Sequence, residues 1–519
     1  MQPSRDRHPD EDLPEGSVVD GARLARDMDE MFDFVVIGSG AAGAVAAHTL
    51  VSAGHTVAIV EEGPWVKTRD FGVDVSSAFD RMMRDNGMQV LKGKAYMPMI
   101  QGRCVGGSTV VNSAIVWRTP EDVVDDWAAR FGLGDTVTMQ DLEPHFDELE
   151  ARLHARPVAD AVLGENNRLF LEQAAKNGID AAPMRRYDAG CTGSGNCLTG
   201  CADGKKQGMN VSYVPWALAK GARIFTSCKA ERVEVRGGRA VGVVAKGHGG
   251  HAVRLRARRG VFVAASTVQT PNILRRSGIR SRALGMHFQA HPGLALGGLM
   301  SRRVDMSFGA TQGAESIHFR KTDRFKLETI SMPPELAAAR IPGVGSELAA
   351  RMARFSDVAV WAVQVRAEAE GTVKPGWGGG DVVRMTLTEN DLRTTRKACA
   401  LLGRMLFESG AREVWPGIFG VPYVLRSIDE VKLIDDAPLD PRAYSFIATH
   451  LFGAARMGPD PRTSVVGTDF ACHEAEGLYV VDSSIFPTNL GVNPQHSIMA
   501  LSRLAATRVA AHATRAAVA

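Results

Sequence analysis

The chain has 519 residues, enough for two large domains or about three of ordinary size. Lys and Arg number 61 against 58 Asp and Glu, a net charge of +3, and that near balance excludes the basic excess of a dedicated nucleic-acid binder. Hydrophobic residues at 45% and charged residues at 23% exclude global disorder, and seven cysteines over this length do not make a disulfide scaffold.

Residues 1–30 are densely charged (Arg5, Asp6, Arg7, Asp10, Glu11, Asp12) and lack an apolar core. They are therefore not a secretory signal and read as a flexible, at most loosely docked arm. Residues 34–60 then run without a Lys, Arg, Asp or Glu, which invites a membrane-span reading. Gly38, Gly40, Gly43, Gly54, His48 and His55 argue against it, because they divide the run into strand, glycine turn, helix and strand. No intrinsic membrane span and a cytoplasmic location are expected.

Residues 34–37 form a short apolar β-branched run of the kind buried in a parallel sheet. Gly38-Ser-Gly40-Ala-Ala-Gly43 follows, then a small-residue helix over 44–53, a stop at Gly54 and a second strand over 56–60, which together make one βαβ unit. The methionines between 75 and 100 read as ordinary core packing. Helices are predicted over 120–131, 142–153 and 167–177, and residues 189–210 read as a Gly/Cys/Asn/Lys loop. Strands over 222–244 bend at Gly237-Gly238, and a buried strand over 259–265 leads into a helix over 267–276. From 295 to 447 the texture changes. Alternating runs at 358–365 and 382–387 predict antiparallel strands, with Gly376-Trp-Gly-Gly-Gly380 as a turn between them and a helix after them. Beyond 447 come a strand over 478–482 and an Ala-rich final helix. The fold class is α/β, α+β overall, with a second domain inserted into a doubly wound one.

Gly38-x-Gly40-x-x-Gly43 has the dinucleotide fingerprint spacing, and Glu61 stands 18 residues after Gly43, at the end of the next strand. The glycines let backbone approach a pyrophosphate at a helix N-terminus, and Glu61 can accept from ribose hydroxyls. A tight turn is the plainer alternative, but the strand before and the helix after supply the context a binding site needs.

Four further stretches resemble the glucose–methanol–choline (GMC) flavoprotein oxidoreductases. They are Glu61-Glu-Gly-Pro64; Gly102-Arg-Cys-Val-Gly-Gly-Ser-Thr-Val-Val-Asn112; residues 264–279, beginning Ala-Ala-Ser-Thr; and a C-terminal set of Thr449-His450, Gly453, Met457-Gly458, Val481-Asp482-Ser-Ser-Ile485 and Asn493-Pro494. The matches run in family order from residue 33 onward. The resemblance implies a Rossmann-like FAD-binding domain of residues 31–120, 220–295 and 448–519, and a substrate domain of 121–219 and 296–447. It implies FAD contacts from Gly38, Gly40, Ala41, Ala42, Gly43 and Glu61, from Arg103, Gly106, Gly107, Ser108 and Asn112, and from Ala265, Asp482, Ser483, Asn493 and Pro494. For Asp482, a strand-end or helix-capping role is the alternative. Gly453-Ala454 departs from the Gly-Thr pair common in the family.

The catalytic pair carried over is His450 and Asn493. Alcohol oxidation removes a hydroxyl proton and passes a hydride to flavin N5. A histidine can serve as base or hydrogen-bond partner, and an amide can fix the same oxygen. His496 is a candidate support behind Asn493, with a purely structural role as its default. The loop Cys191-x5-Cys197-x3-Cys201 resembles by spacing the 3Fe–4S loop of bacterial FAD-dependent glucose dehydrogenases, and also cysteine-rich loops of long-chain alcohol oxidases; a set of reduced thiols is the alternative. The implied activity is oxidation of a small-molecule alcohol, apolar in one reading, with O2, a quinone or a protein as electron acceptor. An FAD/Fe–S dehydrogenase subunit and a redox-neutral FAD-containing lyase are the rivals. Family members that tether FAD do so through a histidine in the second glycine-rich loop, and residues 102–118 contain none. FAD is therefore expected to be noncovalent: acid precipitation should leave the yellow colour in the supernatant, and colour retained in the pellet would refute this.

Overall fold

The computed structural model describes residues 8–377 and 380–518. The first apolar run is longer than its pattern predicts. Strand Met28–Ile37 lies inside an eight-stranded sheet, between Val57–Val60 and Ala252–Val263 and parallel to both. Its last four residues, Phe34 to Ile37, are buried, as is all of Val57–Val60, which is why both read as apolar without alternation. Arg223–Thr226 extends the sheet on one side. On the other, Ala252–Val263 pairs in parallel with Leu478–Val480, the strand predicted from the C-terminal region, and antiparallel with Arg239–Gly247. The hairpin from Cys228–Arg236 into Arg239–Gly247 turns at Gly237-Gly238, both with positive φ (57° and 78°), as a two-residue hairpin turn requires.

The N-terminal segment corrects the expectation of a loose arm. Val18–Asp20 adds a parallel strand beside Arg223–Thr226, and the carboxylate of Asp10 is buried, accepting from Thr68 N and Oγ1 at 2.8 and 3.1 Å. The open backbone edge of Arg223–Thr226 recruits the segment, a force that charge density along the chain does not report. Residues 1–7 of the predicted arm lie outside the described residues.

Helix Ala41–Ser52 sits directly on this sheet because its facing residues are small. A Cβ on Gly43 would stand 1.9 Å from the carbonyl oxygen of Gly38. The final helix Gln495–Val518 docks on it, with Ser502 Oγ donating to Ala42 O at 2.7 Å.

A second sheet of seven strands is antiparallel throughout its pairings: Ala411–Trp415, Gln289–Met300, Val358–Val365, Phe325–Thr329, Ala314–Ser316 and Ala182–Pro183 in order, with Ile447–Phe452 also on Gln289–Met300. Helix Glu389–Glu408, opened by a Thr388/Asp391 capping box, buries Ala398, Leu402, Met405 and Leu406. The glycine turn before it is closed by Gly376 N donating to Gly380 O at 2.7 Å, while Gly378 and Gly379 lie outside the described residues. Ile447–Phe452 leaves the second sheet and returns at once to the first domain, where Gly453 N donates to Ser483 O at 3.0 Å. His450 thus stands where the two sheets meet. Among the described residues no helix is long and apolar enough to cross a membrane.

Gly43→Ala forces its methyl group against a backbone oxygen, an overpacking that costs about 1–3 kcal/mol. A lower Tm than wild type by calorimetry is the expected outcome; an unchanged Tm would show that this helix–loop contact is not rigid.

Candidate active site

The glycine fingerprint is held by a residue its spacing ignores. Ser39, fully buried, donates from N and Oγ to Glu61 Oε2 at 3.0 and 2.6 Å, and its Oγ accepts from Gly106 N at 3.1 Å. Ser39 therefore ties the fingerprint, the acid and the second glycine loop together. Glu61 Oε1 accepts from Gly63 N at 2.8 Å, and burial raises the pKa of its carboxyl despite these bonds. The two glycine loops pack back to back, and a Cβ on Gly107 would lie 3.1 Å from Gly40 Cα. Gly38, Gly106 and Gly107 all have positive φ (96°, 96° and 54°).

This cradle fits a dinucleotide. The helix begins at Gly40 without a capping side chain and with no acid in its first turn, so the N–H groups of Ala41, Ala42 and Gly43 have no side-chain acceptor. Arg103 Nε is buried without a hydrogen-bond partner. The other predicted contacts are more occupied. Ser108 Oγ accepts from Gly102 N at 2.9 Å, and Asn112 donates to Gln495 Oε1 at 2.6 Å. Asp482 accepts from Ser266 N, Thr270 Oγ1 and Ser484 N at 3.1, 2.6 and 2.8 Å, so it joins the end of its strand to the segment that follows Ala265. Ser483 Oγ shares a hydrogen bond with Thr267 Oγ1 at 2.8 Å, and Pro494 immediately precedes the final helix.

At the sheet junction, strand register sets His450 opposite His291, with their Nδ1 atoms 3.3 Å apart. Nε2 of His291 meets both a donor, Gly491 N at 2.9 Å, and an acceptor, Asn489 Oδ1 at 3.2 Å. When His291 donates to Asn489, its Nδ1 accepts from His450 and leaves His450 Nε2 with a lone pair; the opposite tautomer puts a proton there. Burial, and then the charge of Lys326, lower the His450 pKa to about 3, so the imidazole is neutral. His291 is also held neutral, first by burial and then by His450.

Asn493 meets the same charge. Lys326 Nζ donates to Asn493 Oδ1, and the Asn493 amide also hydrogen-bonds Glu328. Lys326 pairs with Glu315 at 2.5 Å and Glu328 at 3.3 Å, and its side chain is fully buried. Its burial opposes its charge, but the two carboxylates outweigh that and raise its pKa. His450 and Asn493, 43 residues apart in sequence, therefore share one buried cation. His291 and Lys326 went unnoticed in the sequence, because neither lies in a motif and no local pattern marks it.

His496 belongs elsewhere. Its Nδ1 lies 2.5 Å from Tyr187 Oη and its Nε2 3.1 Å from Glu150 Oε1, and Glu150 is also held by Arg118 and Arg185. The ring pins the start of the final helix to helix Met139–Arg152.

Cys191, Cys197 and Cys201 line one small pocket with Arg186 and Lys206. Each sulfur receives an N–H: Gly193 N to Cys191 at 3.4 Å, Lys206 N to Cys201 at 3.4 Å, and Arg186 Nη2 to Cys197 at 3.0 Å. Burial opposes ionisation of Cys197, but Arg186 and Lys206 outweigh it and lower its pKa. Lys206 also donates to the carbonyls of Val110, Asn112 and Cys197 at 2.6, 2.7 and 2.8 Å, joining this loop to the second glycine loop. The donors and charges suit a soft, anionic group. Among the described residues, however, no three His, Cys, Asp or Glu side chains gather closely enough to hold a metal ion.

Residues 32–293 match the GMC oxidoreductase N-terminal profile and residues 381–502 the C-terminal one. An uncharacterized GMC-type oxidoreductase of Mycobacterium tuberculosis is 35% identical over 481 residues, 92% of this chain and 76% of the relative. A long-chain-alcohol oxidase of Arabidopsis thaliana is 27% identical over 92% of this chain and 66% of its own. Formate oxidase of Aspergillus oryzae superposes with a TM-score of 0.73 at 17% identity, over 94% of this chain and all of that one. With both profiles, the near full-length relative and the interrupted two-sheet fold in agreement, the chain belongs to the GMC oxidoreductase family of enzymes.

Proposed function

We propose that the protein binds FAD noncovalently in the glycine cradle and uses it to oxidise an alcohol CH–OH group to an aldehyde or ketone. The reading is carried by one observation: a half-buried histidine kept neutral and an amide sharing the same buried ammonium, in a chain whose glycine loops suit a dinucleotide. Bound FAD supplies the two-electron acceptor that this oxidation needs, later reoxidised by O2, a quinone or a protein. The chain supplies the rest. In the tautomer in which His291 donates to Asn489, neutral His450 takes the hydroxyl proton at Nε2, and an N–H of Asn493 holds the same oxygen. The Arabidopsis relative's name supports an apolar alcohol. Bleaching of the flavin by added alcohol without oxygen separates oxidation from lyase chemistry, which would leave the flavin yellow.

His450→Ala is expected to slow anaerobic flavin reduction by about 10²–10⁴-fold in stopped-flow measurements while FAD still binds. Asn493→Ala should also slow it, by loosening the oxygen. His496→Ala should instead destabilise the fold by about 1–3 kcal/mol, because it takes the partner from the buried Tyr187 hydroxyl. A crippling His496→Ala beside a mild His450→Ala would overturn the assignment. Because the low pKa of His450 keeps it neutral, flavin reduction should stay flat as pH falls through 6.5, the ordinary histidine value, and should decline only as pH approaches about 3.

A second reading, an FAD/Fe–S dehydrogenase subunit, has in its favour only that the three thiols share one pocket with two cations, since among the described residues they do not gather closely enough to hold a metal ion. Protein purified without oxygen should then carry near-stoichiometric iron; iron-free protein with full activity would remove this reading.

A further inference from the structure

We propose that Lys326 is a positioning residue for this reaction: clamped between Glu315 and Glu328, it orients the Asn493 amide toward the alcohol oxygen and sets a fixed positive charge beside His450, where the oxygen becomes anionic. The inference rests on the alcohol-oxidation reading above.

Stability does not explain the cluster. Removing an ammonium and two carboxylates from water is costly, and apolar replacements of such buried groups are often neutral or stabilising. Yet Lys326, Glu315 and Glu328 are 0%, 7% and 2% exposed and are built in with care. Trp117 Nε1 donates to Glu315 at 2.7 Å, and Gln364 donates to Glu328. Buried charged clusters of this kind concentrate at functional sites.

The orientation argument follows from the amide. Its oxygen and nitrogen are nearly the same size, so sterics alone do not choose between two orientations. Here the ammonium faces Oδ1 and Glu328 takes a hydrogen bond from the amide. Rotation by 180° would turn N–H against the ammonium and oxygen against the carboxylate. Nδ2 is left with one further N–H, the donor an alcohol oxygen needs, and that bond strengthens as the oxygen gains charge.

The titratable and charged groups facing His450 from the packed strands are His291 and Lys326, with Glu315 and Glu328 behind Lys326 and Arg366 acting on His291. Lys326 therefore disfavours a resting imidazolium. Its charge also compensates the transient anion.

The test compares FAD-loaded wild type, Lys326→Met, Asn493→Ala and the double variant by anaerobic stopped-flow, and follows His450 by NMR in histidine-labelled protein. Lys326→Met should slow flavin reduction by about 10²-fold. If Lys326 acts through Asn493, the double variant should be little slower than Asn493→Ala alone, since residues acting as a unit are non-additive. The His450 titration should move up in Lys326→Met. Lys326→Met/Glu328→Gln, which removes one charge of each sign, takes its place if the single variant does not fold. Additive rate losses with an unmoved His450 titration would overturn the proposal. A wild-type flavin that no alcohol bleaches would overturn the alcohol-oxidation reading instead, and the NMR arm would still decide whether Lys326 acts on His450.

Discussion

Two glycine loops touching backbone to backbone are the constraint on which the rest of the molecule depends. Gly107 lies so close to Gly40 that a Cβ on it would stand 3.1 Å from Gly40 Cα, and Gly43 can lie against Gly38 only because it carries no side chain. Ser39 then closes the assembly by holding Glu61 on one side and Gly106 on the other. This packing leaves an uncapped helix N-terminus facing a cradle with no side chain in it, which is what a diphosphate needs. Everything at the chemical end of the site is positioned relative to that cradle.

The second constraint is the path of strand Ile447–Phe452. It pairs with Gln289–Met300 in the substrate-side sheet, then bonds at Gly453 to Ser483 in the nucleotide-side domain. A histidine on this strand belongs to both units. Its register against His291 and its exposure to the charge of Lys326 come from the antiparallel sheet, while the crossing itself joins the following Gly453 to the first domain.

Polar groups inside this protein sort into those that hold the chain together and those left to do chemistry. Asp482, Glu61 and His496 have their hydrogen bonds taken by neighbouring backbone or side chains, and each joins two segments. His450 and Asn493 are bound on one side only, by His291 and by the Lys326–Glu328 pair. The cysteine pocket is intermediate: its sulfurs are each met by an N–H, and Lys206 links it to the second glycine loop, so its charge state is felt close to the cofactor cradle.

The nucleotide-binding core was legible in the sequence because its information is local. Residues 34–37 and 57–60 are apolar runs buried on both faces, and the glycines mark close approach; in the second domain, helix Glu389–Glu408 likewise shows its 3.6-residue period. The expectation that His450 and Asn493 act as a pair came only from family resemblance, since no local pattern links positions 43 residues apart. Three things were decided by tertiary structure alone. Val18–Asp20 became a strand because a sheet edge was open to it, and His496 became a structural pin because Tyr187 and Glu150 fold against it. Lys326 came to sit, fully buried, between two carboxylates because Glu328 follows it on the same strand and antiparallel pairing brings Glu315 alongside. Composition and periodicity report which residues prefer to be buried; which charges meet once buried depends on register between distant strands, and that is set only when the whole chain packs.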